Sequence, residues 1–520
     1  MTHRHRTPQL PSAPLTWRGV LPLVALAAVL GCDPEGGEDG GTSPVDGGSD
    51  DASPADDGAV SDGGGDRDGG ASPDASVSTD GGGVGVDGGP PPPPGDWVPP
   101  IGVPRPPFGI EESVTDDEFT HWVDNTAAGC SDSGDGTPST PRCSLPRNLA
   151  SGSIVQVRGG PYEARNFRTV VAGTAESPVF VRGPSAGLVA VTGDDGVEFG
   201  GTYGILENVD AERLSIKGAS TNDHLAMRHS YIHDNPGTGA MVFTGSNAHF
   251  IVFYNNEIAR NGVIPSDRDH HGVSLGGGSS DVWIVDNHIH HNSGDAIQFC
   301  HGCIGDGNGP ARVYIGRNLM HDDEENALDF KEFIGPVIVS ENEIYGYVSA
   351  VNSNGDAIRI NDEGDQGEIW VLNNEIYNSE IGINPRGSAA TVYIIGNIVH
   401  DISRLSGIRR GADFVINNTV YDVGGIGIAA DVAVNNIVWN ATPSFSAETC
   451  MNNLSDDSSC GSTGDPMLQV DSANHLTGLA ASSPAINAGT EHAAYGEFQA
   501  RYGLSIRTNV GTIDIGALEQ

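Results

Sequence analysis

One short phrase returns along residues 206–439: a β-rich run, an asparagine, an apolar residue, then a second run led by Gly or Asp. It reads Leu-Glu-Asn208, Asn-Asn256-Glu-Ile, Asp-Asn287-His-Ile, Arg-Asn318-Leu-Met, Glu-Asn342-Glu-Ile, Asn-Asn374-Glu-Ile, Gly-Asn397-Ile-Val, Asn-Asn418-Thr-Val and Asn-Asn436-Ile-Val, with Ser230 in the asparagine's place once. Successive returns lie between 18 residues (Asn418 to Asn436) and 32 (Asn342 to Asn374) apart. A unit of that length with loops of variable size is one coil of a solenoid, which cannot bury its apolar face until neighbours stack on it.

Short β-branched runs such as Val282-Trp-Ile-Val285, Val337-Ile-Val339 and Val392-Tyr-Ile-Ile395 predict strands of a few residues that stack into parallel sheets. Stacking brings equivalent residues of adjacent coils about 4.8 Å apart. The recurring asparagine is then expected to form an internal ladder, satisfying turn backbone and its neighbours above and below, which is a structural role. The predicted class is all-β, a single-stranded parallel solenoid.

Ser153-Ile-Val-Gln-Val-Arg-Gly-Gly-Pro-Tyr162 and Gly173-Thr-Ala-Glu-Ser-Pro-Val-Phe-Val-Arg-Gly183 resemble the opening coils of pectate-lyase-like proteins, which implies a right-handed parallel β-helix. The stretches Ala481-Ser-Ser-Pro-Ala-Ile-Asn-Ala-Gly489 and Val510-Gly-Thr-Ile-Asp-Ile-Gly-Ala-Leu-Glu519 look like the closing segment of secreted bacterial β-helix proteins. That resemblance implies a cap from about residue 465, shielding the unpaired strand edges of an open solenoid end. The expected organisation is a leader over 1–31, a tether over 32–107 and a β-helix over 108–520.

Arg4, Arg6 and Arg18 precede an apolar run from Val20 to Leu30 that is too short to span a bilayer and ends in Leu30-Gly31-Cys32. This resembles a bacterial lipoprotein signal. It implies export, lipidation of Cys32 and a membrane-anchored protein at the outer membrane or cell surface. From Asp33 to Asp96 the chain holds 16 acidic residues against Arg67 and almost no large apolar side chain, closing on five prolines from Pro90 to Pro94. Such a stretch cannot offset its backbone entropy by burial, and is predicted to be a disordered, self-repelling spacer. Most of the net charge of -43 lies beyond it, so the folded body is itself acidic. That field excludes nucleic acid as a partner and admits anionic polysaccharide only where a cation reverses the local sign. The remaining six cysteines form three sequence-local pairs, Cys130/Cys143, Cys300/Cys303 and Cys450/Cys460. An exported chain can oxidise all three; Cys300-His-Gly-Cys303 also has the spacing of half a zinc site.

The coils are unequal. Aligned second runs read His271-Gly-Val-Ser-Leu-Gly276, Asp295-Ala-Ile-Gln-Phe-Cys300, Asn326-Ala-Leu-Asp-Phe-Lys331 and Asp356-Ala-Ile-Arg-Ile-Asn361. Their third and fifth residues are apolar and point inward, which leaves Ser274, Gln298, Asp329 and Arg359 as one outward column on the surface. Folding requires none of these charges. Asp295, Glu325, Asn326, Asp329 and Asp356 are expected to converge as oxygen ligands of the kind calcium takes. Lys331 stands beside them in a chain that has 24 arginines and, besides it, only Lys217 as a lysine. Lysine can act as a base where arginine rarely does.

This pattern resembles the calcium-dependent polysaccharide lyases of the β-helix class: the family-9 pectate lyases and, more loosely, the family-6 alginate and chondroitin lyases. The resemblance implies Ca2+ at Asp295, Glu325, Asn326 and Asp329, a uronate-containing polysaccharide as partner, and β-elimination with a lysine base. Lys331 comes one coil earlier than that pattern has its lysine, where Arg359 is the closer match, and Asn326 stands in place of an aspartate. Either Lys331 or Arg359 is the candidate base, with His271 or water protonating the leaving group. Two other readings stay open. One is hydrolysis by Asp295, Asp329 and Asp356, although the motifs of β-helix polygalacturonases are absent. The other is a monomeric, non-catalytic glycan-binding solenoid, with Trp283, Trp370 and Tyr377 as contacts if those rings are not simply packed.

Overall fold

In a computed structural model the described residues are 97–193, 195–236, 239–266, 268–301, 308–350, 353–361, 367–386, 389–507 and 511–519. The expected leader, Cys32 and the acidic spacer up to residue 96 lie outside them, as does Cys303.

The coils stack as two long parallel sheets, with equivalent residues in register. On one, Val337 pairs with Ile369 and Ile369 with Val392. On the other, Ile344, Ile376, Val399, Val420 and Val438 follow one another through successive coils. These inward Val, Ile, Leu and Phe side chains form one continuous core, and the largest of them, such as Phe253, Phe299 and Phe330, have no exposed surface.

The asparagine ladder is continuous from Asn256 through Asn287, Asn318, Asn342, Asn374, Asn397, Asn418 and Asn436 to Asn453. Each Nδ2 donates to the next Oδ1, and each backbone N–H donates to that same oxygen. The residue before each rung turns the corner with a positive φ, as at Asn255, Asp286, Arg317, Glu341 and Asn373. That geometry corrects the reading of Asn208. It is itself a corner residue with φ 59°, so Val209 occupies its coil's rung and takes its hydrogen bond from Ser230 Oγ.

Residues 97–107 were expected in the spacer, yet they are packed on the solenoid. Trp97, Val103 and Phe108 are buried against the outer side of one sheet, over Ala226, Val252, Tyr254 and Trp283. Trp97 Nε1 donates to Asp286 Oδ2 at 2.7 Å, and Trp283 Nε1 donates to the Pro104 carbonyl at 2.8 Å. Three large apolar residues in this stretch supply the burial that the preceding Asp and Gly run lacks.

The same face is covered further along by a helix, Ala493–Tyr502, that sequence periodicity did not reveal. Its low amphipathicity hides it: Ala494, Tyr495 and Phe498 alone are buried. Phe498 lies over Trp370, which is stacked on Tyr393 at 3.7 Å. The N-terminal strap and this helix meet at Gly102, where φ is +78° and a Cβ would lie 3.0 Å from both Leu372 Cδ1 and Phe498 Cζ. Trp283, Trp370 and Tyr377 are therefore packing residues, each under 10% exposed.

Toward the C-terminus an antiparallel pair, Leu468–Val470 with Leu476–Leu479, leads into a small cluster of Ile437, Leu454, Leu479, Ala485 and Ile515 over the last coils. Cys130–Cys143 and Cys450–Cys460 are disulfides, and Cys300 is disulfide-bonded as well. Among the described residues no helix is long and apolar enough to cross a membrane.

Candidate active site

Strand register sets the outward column: Ser274 pairs with Gln298, Gln298 with Asp329, Asp329 with Arg359, and Arg359 with Asn384. Asn384 continues the column one coil beyond the sequence alignment. Extending that alignment to Ile381-Gly-Ile-Asn-Pro385 would have found it.

The column points away from the core, but it is not an exposed surface. Asp295 and Asp356 are 0% exposed and Asp329 is 1% exposed. The variable loops cause this. Loop residue Ser266, for example, donates its N–H to both carboxylate oxygens of Glu324, at 2.9 and 2.8 Å, drawing one coil's loop over the acidic turn of a later one. Loop paths are set by tertiary contacts and leave no trace in the repeat.

Within the buried patch, Asp295 is the hub. Its Oδ1 accepts from Asn326 Nδ2 at 2.7 Å and from the Asn326 N–H at 3.2 Å. Its Oδ2 accepts from Gln298 Nε2 at 3.2 Å and lies 3.3 Å from His271 Nδ1. That same nitrogen lies 3.0 Å from the Asp295 N–H. A neutral His271 accepts from the N–H, and a protonated one donates to Oδ2. One donor atom from each of His271, Asp295 and Glu325 falls within 4.8 Å of the other two. Lys331 Nζ sits 2.6 Å from Asp329 Oδ2, with its side chain 24% exposed. Asp329 Oδ1 accepts from Asn361 Nδ2 at 2.8 Å, and Arg359 Nε donates to Asn361 Oδ1 at 3.1 Å.

The expected five-ligand set is thus brought together only in part. Asp295 and Glu325 converge, with Asp329 adjoining through Lys331. Asn326 turns its amide nitrogen toward Asp295, while its oxygen accepts from Ser353 Oγ at 3.1 Å, so it orients the hub and is not a free oxygen ligand. Asp356 lies one coil on, held by two hydrogen bonds from Asn384 Nδ2 at 2.9 and 3.0 Å.

Burial and mutual repulsion dominate the electrostatics. Desolvation, then the charges of Asp295 and Asp269, push Glu325 up to about 9. Desolvation and Asp295 raise Asp329 to about 6 against the pull of Lys331. Asp295 resists its desolvation through His271, Asn326 and Lys331, and is held below the usual carboxylate range. Lys331 is desolvated too, but Asp329 and Asp295 hold its pKa above the ordinary lysine value.

A raised carboxyl makes the native state bind more protons than the unfolded chain, so its stabilising effect is full below the unfolded value and is lost as pH rises. For Glu325 the window runs from its ordinary value of 4.5 to about 9. In cation-free protein, Glu325→Gln is expected to flatten the fall in melting temperature across that window. Parallel wild-type and variant melts that lose stability equally from pH 5 to 9 would contradict the assignment.

A family description, right handed beta helix region, matches residues 189–329, and with the sheets above it defines the chain as a right-handed parallel β-helix protein. No curated protein matches the sequence. Among solved structures the chain is similar to a pectate lyase, Pel9A, at 13% identity and TM-score 0.36, covering 78% of this chain and 98% of that one. It is also similar to a rhamnogalacturonan lyase (12%, TM-score 0.37, 75% and 100%). A third is the A-module of the Azotobacter vinelandii mannuronan C-5 epimerase AlgE4 (13%, TM-score 0.28, 64% and 80%). Likenesses at this level leave the chemistry to be read from the site's own residues.

Proposed function

We propose that this protein is a calcium-dependent polysaccharide lyase that cleaves uronate-containing glycans by β-elimination at the Asp295–Lys331 site. The observation that carries the reading is Lys331 bound to buried Asp329 beside a nest of carboxylates whose shared burial drives Glu325 to hold a proton. Such a nest is short of a cation. The donor set is rich in oxygen, as calcium prefers, and Asp295, Glu325 and Asp329 are the residues that would hold it. Bound there, calcium would neutralise the uronate carboxylate and make the C5 proton more acidic.

The chain's own groups supply the remainder. Arg359, in the column next to Asp329, is placed to pair with the substrate carboxylate. Lys331 takes the C5 proton on Nζ, and its basicity falls toward a working value when Asp329 is engaged elsewhere and Arg359 stays close. The C5–H electron pair becomes the C4–C5 double bond, the C4–O bond breaks, and the departing oxygen takes a proton from His271 or from water. The N-terminal signal pattern and Cys32 add export and a lipid anchor to the proposal, which suits a partner too large to enter a cell.

One observation favours a second reading. Asp295 and Glu325 carboxyls approach within 4.8 Å and are pushed in opposite directions, Glu325 up and Asp295 down. A pair so divided can serve as acid and base in glycoside hydrolysis.

The readings separate when the full chain is incubated with pectate, alginate and a glycosaminoglycan in calcium. Ultraviolet absorbance from unsaturated uronate is the expected result. New reducing ends without it would establish hydrolysis, and glycan binding with no cleavage would leave a non-catalytic solenoid. Chelating calcium with EGTA is expected to lower turnover on the order of 10²-fold or more, with recovery on adding calcium back. Turnover unaffected by EGTA would remove the metal from the proposal.

A further inference from the structure

A second cluster lies on the other long sheet and takes no part in the chemistry above. In the strand His288–His290, Ile289 points into the core, so both imidazoles stand on the outer face. The next coil repeats the position: His290 pairs with His321, 31 residues on, the same period that separates ladder rungs Asn287 and Asn318. His288 Nε2 lies 2.7 Å from His321 Nε2, and one ring nitrogen from each of His288, His290 and His321 falls within 4.8 Å of the other two.

Carboxylates stand behind these rings. His321 Nδ1 lies 2.9 Å from Asp322 Oδ2, which fixes the tautomer that leaves Nε2 bare. His290 Nε2 lies 3.3 Å from Glu257 Oε1, and Glu257 is the register partner of His288. A histidine whose far nitrogen is held by a carboxylate is the common arrangement of a metal-binding imidazole.

Packing alone does not call for this. The same outward column continues as Tyr345, Tyr377, His400 and Tyr421, rings stacked 4.8 to 5.1 Å apart. Stacking of that kind needs one ring per coil. His288 lies outside the column, in the register of Glu257 and Leu319, and still aims its nitrogen at His321. With Nε2 of His321 bare, the 2.7 Å contact is bridged by the Nε2 proton of His288, which a cation would displace.

We propose that His288, His290 and His321 form a binding site for a divalent transition-metal ion of the zinc class, with Asp322 as the outer partner of His321 and Glu257 or water at the fourth position. Three imidazoles suit zinc and its neighbours and not calcium, whose ligands are oxygens. The ion would join two successive coils across their register, at a site distinct from the acidic one. Burial and the two neighbouring imidazoles hold His288 down to about 4, so it meets the ion as a neutral ligand.

The test uses the full chain, stripped with EDTA, dialysed into excess calcium and titrated calorimetrically with Zn2+. His3 and His5 are replaced by alanine in every sample, so that they cannot contribute sites. One zinc per chain is expected, with affinity falling roughly 100-fold or more in the His288→Ala/His321→Ala double variant. His400→Ala/His475→Ala, which removes the separate Glu375, His400 and His475 group, and Asp295→Asn/Glu325→Gln should each leave that affinity within about threefold, roughly 0.65 kcal/mol. Co2+ added to the unaltered cluster should give the intense visible bands of a tetrahedral site, a readout that stands even if the double variant fails to fold. Absence of zinc binding, binding that survives loss of His288 and His321, or only the pale spectrum of hydrated Co2+ would overturn the proposal.

Discussion

Lys331→Ala is expected to reduce turnover on a uronate polymer by about 10³-fold, the scale of losing a positioned general base. The loss should fall on kcat, because Lys331 meets the substrate at the proton it removes, while the carboxylate nest and Arg359 still bind. Lys331→Arg should not restore activity, since a guanidinium keeps its protons. The fold should tolerate the change. Asp329 would lose its partner at 2.6 Å, but its carboxyl is already raised to about 6 and takes up a proton at neutral pH, avoiding a naked buried charge. Steady-state kinetics beside a thermal melt gives the check. If Lys331→Ala retains most of its turnover and Arg359→Ala loses it, the base is Arg359, the closer match to the lyase pattern.

The second large effect is structural. Asn374→Ala is expected to destabilise the solenoid by about 3–5 kcal/mol, because it strips partners from several buried groups at once. Asn374 Oδ1 accepts from both the N–H and Nδ2 of Asn342, at 3.0 and 2.9 Å. Its Nδ2 donates to the Val339 carbonyl at 3.1 Å and to Asn397 Oδ1 at 2.9 Å. At 1% exposure, water cannot replace any of them. The adjacent asparagine provides the contrast. Asn373 turns the corner at φ 52°, its Nδ2 has no partner, and glycine adopts that conformation without cost. Asn373→Gly should therefore stay within about 1 kcal/mol of wild type. Equal denaturant midpoints for the two variants would refute the ladder's energetic role.

The paired asparagines also show what the sequence made legible. The rung repeats at coil spacing with apolar neighbours of period two, so its place in the stack and the inward columns could be read directly. Asn208 misled because a lone asparagine serves corner and rung equally well, and only the doublets, such as Asn373-Asn374, separate the two. The outward column through Gln298, Asp329 and Arg359 was legible for the same reason of period. Its burial was not, since that depends on loops such as the one carrying Ser266, whose path obeys no repeat. Asp356 was grouped with the other carboxylates by alignment, yet Asn384 on the following coil claims both of its oxygens. The histidine cluster did leave a signal, His290 and His321 at one coil period, but a reading centred on carboxylates passed over it. The strap from Trp97 and the helix Ala493–Tyr502 bury few residues each, too few to stand out from their polar surroundings.

The most direct test of the proposed chemistry is proton NMR of the fragments that the full chain releases from a uronate polymer in calcium. The expected result is one vinyl H4 signal for every new reducing end, absent when Lys331→Ala replaces the wild type. New reducing ends with no vinyl proton, or a polymer left intact by a folded protein on pectate, alginate and glycosaminoglycan alike, would contradict it.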